Sequence, residues 1–121
     1  MSALLPAIET QSEAEIIAFQ EEKLRELLQY LNEKSTFYRN LFRKHHICIE
    51  DIRTLTDLQK IPTTHKDDLQ RENDAFLCVP KSAIVDYAST SGTMGTPVTF
   101  GLTDKDLDRL AYNEAISLAC A

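Results

Sequence analysis

The sequence predicts a mixed α/β fold, with a helical N-terminal part followed by short strands, a glycine loop and a last helix. Three observations predict it. Hydroxyl residues stand three positions before acidic ones at Ser12, Thr54, Thr64 and Thr103, each ahead of a helical segment. After Asp74 the pattern changes to short extended runs rich in Phe, Leu, Val, Ile and Tyr. Between two such runs lies Ser89-Thr90-Ser91-Gly92-Thr93-Met94-Gly95-Thr96-Pro97, whose first seven residues include six that are glycine or hydroxyl-bearing.

The elements follow in order. Ser12 with Glu15 forms a capping box, and Ile16, Ile17, Leu24, Leu27, Leu28 and Leu31 recur at helical steps, so one long amphipathic helix ends near Asn32. Ser35 caps a second helix whose apolar face is Phe37, Tyr38, Leu41 and Phe42. Thr54 with Asp57 opens a short third helix that Ile61-Pro62 ends, because proline restricts the residue before it. Thr64 with Asp67 opens a fourth, through about Arg71. Ala75 to Val79 and Ala83 to Ala88 read as strand or extended structure around Pro80, and Val98 to Leu102 as another strand. Thr103 with Asp106 starts a helix that runs on to the chain end. The organisation is a helical region at 1–74, then an α/β region at 75–121 that carries the loop at 89–97.

At 121 residues, with 43% hydrophobic and 26% charged content, the chain reads as one soluble globular domain by length. Its apolar ending, Ala111 to Ala121, has no cap or polar tail and reads as an interrupted domain. A net charge of −6 and a pI near 5.0 argue against nucleic acid, whose backbone needs clustered Lys and Arg. The densest basic segment, Arg39 to His46, is broken by Leu41 and Phe42 and reads as the wet face of a helix. Cys48, Cys78 and Cys120 form no CxxC pair, and no export signal or membrane-length apolar run is present. A reducing, cytoplasmic setting without nucleic acid or membrane is the expectation.

Gly92 and Gly95 permit positive φ, so neighbouring amides can curve around an anion, and Ser91, Thr93 and Thr96 add neutral donors. Pro97 lacks an N–H and suits the start of an edge strand. The loop holds no Lys or Arg, so triphosphate charge must be met by a metal ion or by groups elsewhere. Its strand–loop–strand setting, with Thr96-Pro97 after Gly95, excludes a Walker loop. On composition alone a surface turn explains the run at least as well as a phosphate site.

Ser91-Gly92-Thr93-Met94-Gly95-Thr96-Pro97 resembles the phosphate loop of the adenylate-forming (AMP-binding) superfamily, roughly S-G-S/T-T-G-x-P. Upstream segments are similar to its phenylacetate–CoA ligase-like branch. Asn32 to Phe42 resembles N-S-x-F-Y-R-x-x-F, Asp51 to Leu58 resembles D-I-x-x-L-x-D-L, and Ile61 to Leu69 resembles L-P-x-T-x-K-x-D-L. The loop then leads through Gly101-Leu102-Thr103 into a helix, as in that branch, and the resemblance covers residues 24–118.

The resemblance implies the N-terminal segment of a two-step ligase. A carboxylate, phenylacetate or another aryl acid, attacks the α-phosphorus of Mg·ATP to give an acyl-adenylate and pyrophosphate; the thiol of coenzyme A then displaces AMP. By matching position, Ser91, Gly92, Thr93, Met94, Gly95 and Thr96 form the nucleotide-binding stretch, with all but Met94 holding the β- and γ-phosphates. ATP, Mg2+ and coenzyme A are the implied cofactors, and a homodimer is the implied assembly. Met94 stands where the family has Thr or Ser, Thr96 replaces a frequent Lys, and Val98 replaces the wider superfamily's Lys. The family's aromatic-x-x-S/T-E segment, ribose-binding Asp, hinge and catalytic Lys have no counterpart in these 121 residues, so the chain alone is expected to be inactive, with no catalytic residue of its own. Two rivals stand beside this reading. One is an adenylating enzyme with a different acyl acceptor, and the other a non-catalytic helical interaction module whose glycine run is only a turn.

Other polar residues have plainer explanations. His45 and His46 sit at a helix end, where imidazolium complements the dipole, and His65 lies in a first turn without a third ligand at metal spacing. Asp67 and Asp68, like Asp104, Asp106 and Asp108, suit helix starts. Phe37, Tyr38 and Phe42 read as core, and Cys78 as a buried, inert thiol.

Overall fold

The computed structural model describes residues 7–91 and 95–120. Helix α1 spans Glu13–Lys34, running past Asn32. Its start is the expected reciprocal box: Ser12 Oγ accepts the Glu15 N–H at 3.3 Å, and Glu15 Oε2 accepts the Ser12 N–H at 2.9 Å. Ser35 ends α1 in an extended conformation and begins α2, Thr36–Lys44, by accepting the Tyr38 N–H at 3.3 Å. The same hydroxyl donates to the Ala75 carbonyl at 3.2 Å, so this fully buried serine has both roles of its oxygen filled. Helix α2 closes on His45, and His46 takes a left-handed φ of +53° as the chain turns.

The main core cluster is built from the first half of the chain. Leu24 and Leu28 of α1, Phe42 of α2 and Ile52 are buried together, with Leu31, Tyr38, Ile49 and Leu55 packed around them. Ile17 and Leu27, on the same apolar pattern, are exposed. The segment after α2 wraps this core in two 3₁₀ turns, Ile49–Asp51 and Thr56–Lys60. The second stands where a short helix was expected after Thr54. The capping exchange is present, with Thr54 Oγ1 accepting the Asp57 N–H at 3.3 Å and Asp57 Oδ2 accepting the Arg53 and Thr54 N–H groups at 3.0 Å. Pro62 follows too closely for a full α-turn, since Ile61 must be extended.

Helix α3 is Lys66–Arg71 and begins one residue later than the Thr64/Asp67 pattern predicts. Asp68 Oδ2 accepts the His65 N–H at 2.9 Å, while the Thr64 hydroxyl is engaged 3.1 Å from Tyr38 Oη. The strand expected at Ala75 to Val79 does not form. Asn73–Phe76 is a 3₁₀ turn that lays the Phe76 ring on Phe37 at 3.9 Å and meets Tyr38 edge-on at 5.7 Å. Burial of that ring against α2 outweighs the β propensity of the stretch.

The later extended runs do pair. After a 3₁₀ turn at Lys81–Ala83, strand β1, Asp86–Ser89, runs antiparallel to β2, Thr99–Leu102, with Asp86 opposite Leu102 and Ser89 opposite Thr99. Helix α4, Asp104–Cys120, starts on Thr103, whose N–H is accepted by Asp106 Oδ2 at 2.9 Å. The result is the mixed, helix-dominant fold the sequence predicts. None of the described α4 residues is buried, and Leu110 and Leu118 are 51% and 74% exposed. On the hairpin, Tyr87 and Phe100 are also exposed.

Candidate phosphate loop

The glycine loop sits at the tip of the β1–β2 hairpin, so it joins two antiparallel strands and not a strand and a helix. Its two legs are closed by one residue pair. The Thr90 N–H donates to the Val98 carbonyl at 2.9 Å, and Thr90 Oγ1 accepts the Val98 N–H at 2.9 Å. One step further in, Ser89 Oγ and Thr99 Oγ1 lie 3.0 Å apart across the ladder. Val98 is 2% exposed, which places the base of the loop in packed protein.

Of the predicted phosphate-binding residues, Ser91 is exposed on the incoming leg, and Gly95 and Thr96 are exposed on the outgoing one. Gly92, Thr93 and Met94 lie outside the described residues. Gly95 has φ +131°, a region that side-chain-bearing residues rarely adopt, and a Cβ there would meet nothing within 4 Å. The glycine is therefore required by backbone conformation.

The outgoing leg is also held from α3 and the turn that follows it. Gln70 Nε2 donates to the Thr96 carbonyl, and Asn73 Nδ2 donates to the Thr99 carbonyl at 2.8 Å and to Leu69 O at 3.3 Å. Sequence reasoning missed Gln70 and Asn73. Thr99 lies 26 residues from Asn73, and no short-range pattern encodes such a contact.

The remaining candidates keep their structural roles. His45 is the C-terminal cap of α2, and Asp106 is a helix-capping carboxylate. Cys78 is half-buried, not fully buried as expected, and burial pushes its thiol above the usual range. Cys48 donates to Glu50 Oε2 at 2.9 Å, and that bond raises its thiol too, so neither cysteine is a ready thiolate. Among the described residues no group of three or more His, Cys, Asp or Glu could hold a metal ion. No described helix is long and apolar enough to cross a membrane. A groove of about 560 Å³ between α1 and the Ile49–Asp51 turn contains no loop residue.

This architecture is that of the N-terminal part of adenylate-forming CoA ligases. A 2-hydroxyisobutyryl-CoA ligase, solved in complex with 2-HIB-AMP and CoA, superposes with a TM-score of 0.72 at 29% identity, over 80% of this chain and 22% of that one. Among curated proteins, the phenylacetate–coenzyme A ligase of Thermus thermophilus is 37% identical over 118 residues, covering 96% of this chain and 26% of the relative. That of Escherichia coli is 38% identical over 119 residues, covering 97% and 27%. The chain is thus related to the phenylacetate–CoA ligases and spans about a quarter of the length of the curated relatives it matches. No family model matches it.

Proposed function

We propose that this chain is the N-terminal segment of an ATP-dependent acyl-CoA ligase that activates an arylcarboxylate as its adenylate and passes the acyl group to coenzyme A. The observation that carries this reading is the near-complete match of the chain to phenylacetate–CoA ligases, with the glycine loop presented at a hairpin tip. In this reading Ser91, Gly92, Thr93, Gly95 and Thr96 surround the β- and γ-phosphates and steady the departing pyrophosphate. Their help is positional and electrostatic, since the loop carries neither an acid–base group nor a cation. Mg2+ bound with the nucleotide would supply the positive charge that the loop itself lacks.

The two-part organisation, 1–74 and 75–121, is part of the proposal. The first part brings its own core, whereas the hairpin and α4 present apolar side chains to solvent. Such surface in a soluble enzyme is normally covered by further protein. The chain alone is accordingly inactive, and its free cysteines suit a reducing cytoplasm. Calorimetric titration of the chain with Mg·ATP, and of a variant with Ser91 and Thr93 both replaced by alanine, tests the loop. Binding that the variant loses supports the assignment; heat identical in both overturns it.

A further inference from the structure

We propose that Asn73 and Gln70 are positioning residues for the phosphate loop, holding its outgoing leg from α3 and the turn after it. The inference rests on the phosphate reading of that loop. In an antiparallel ladder successive carbonyls point alternately toward and away from the partner strand. The Val98 carbonyl accepts from Thr90, the residue after β1, so the Thr99 carbonyl faces the open edge of this two-stranded sheet. Asn73 meets it there at 2.8 Å, in the place a third strand would fill.

Asn73 is suited to this by its second proton. Helix α3 ends at Arg71, which leaves the Leu69 carbonyl without the N–H that one more turn would supply. The Asn73 amide donates to that carbonyl at 3.3 Å. One side-chain NH2 therefore ties a helix end to a strand edge. Gln70, one α3 residue after Leu69, reaches the Thr96 carbonyl inside the loop itself. Two amide donors on two main-chain carbonyls of one leg fix how the Gly95 and Thr96 amides are presented. The helical part of the chain thereby sets the geometry of the nucleotide loop.

Hydrogen exchange of the 121-residue chain, with and without Mg·ATP, tests this in the wild type, N73A, N73D and Q70A. The expected result is about five- to tenfold faster exchange of the Thr90 and Val98 amides in N73A, the effect of losing a hydrogen bond. N73D should be at least as fast, because a carboxylate would face two carbonyls. Exchange at Leu24 and Leu28 should stay unchanged, which separates loop loosening from unfolding. Mg·ATP should slow exchange at Gly95 and Thr96 in the wild type and do so less in each variant. If N73D unfolds the chain, Q70A and N73A carry the same comparison. Thr90 and Val98 exchange unchanged in N73A and Q70A overturns the positioning role, whatever nucleotide does. Faster exchange in the variants, with no Mg·ATP protection of the wild-type loop, overturns the phosphate reading, and with it the positioning role.

Discussion

Thr90 closes the glycine loop on Val98 twice, donating its own N–H to the Val98 carbonyl and accepting the Val98 N–H on its hydroxyl, both at 2.9 Å. Val98 is 2% exposed, so its N–H has no access to water as a substitute partner. T90V, similar in shape but without the acceptor, should cost about 1–3 kcal/mol, whereas T90S should cost less because it keeps the oxygen. Urea unfolding of both variants checks the order.

Gly101 faces Ile84 across very little space. A Cβ at Gly101 would lie 2.7 Å from Ile84 Cδ1 and 3.2 Å from Cγ1. G101A should therefore destabilise by about 1–3 kcal/mol through overpacking. Adding I84A should remove most of that penalty, so the double-mutant cycle is non-additive. Additive costs would mean that the clash is not what keeps glycine there.

The location of the core makes a contrast between two apolar residues. F42A removes a buried ring from the cluster with Leu24, Leu28 and Ile52 and should cost about 3–5 kcal/mol. L118A, on the exposed side of α4 at 74% exposure, should change stability by no more than about 0.5 kcal/mol. Thermal or urea midpoints of the two variants give the comparison directly.

Asp57 should make stability depend on acid pH. Its carboxylate accepts the Arg53 and Thr54 N–H groups and pairs with Lys60 at 3.1 Å, which holds its pKa far below the ordinary 3.8. A depressed folded-state pKa means the contribution is complete above the unfolded value and fades as pH falls through the folded one. Wild type should thus exceed D57N in stability at neutral pH, and the gap should narrow as pH falls below about 4. A gap constant down to pH 2 would contradict the assignment.

Much of the fold was legible because its signals are local. Ser12–Glu15, Ser35 and Thr103–Asp106 act within one helical turn, and each capping residue stands where the sequence places it. What escaped depends on distant partners. Tyr38 takes the Thr64 hydroxyl and shifts the start of α3, and Phe37 takes the Phe76 ring and replaces a strand with a turn. The loop itself was legible as a glycine–hydroxyl run, and Gly95 has the positive φ it was expected to allow. Its anchoring by Gln70 and Asn73 was not, since both contacts cross 26 residues of sequence.

The central claim is that this chain provides the phosphate-loop segment of an acyl-CoA ligase. Its most direct test joins the chain, in place of the matched quarter, to the remainder of the E. coli phenylacetate–coenzyme A ligase. Phenylacetate-dependent release of pyrophosphate from Mg·ATP is then measured. The expected result is turnover that falls on the order of a hundredfold for each loop donor removed at Ser91 or Thr93. A folded fusion that releases no pyrophosphate, or releases it equally well with both donors replaced by alanine, would contradict the account.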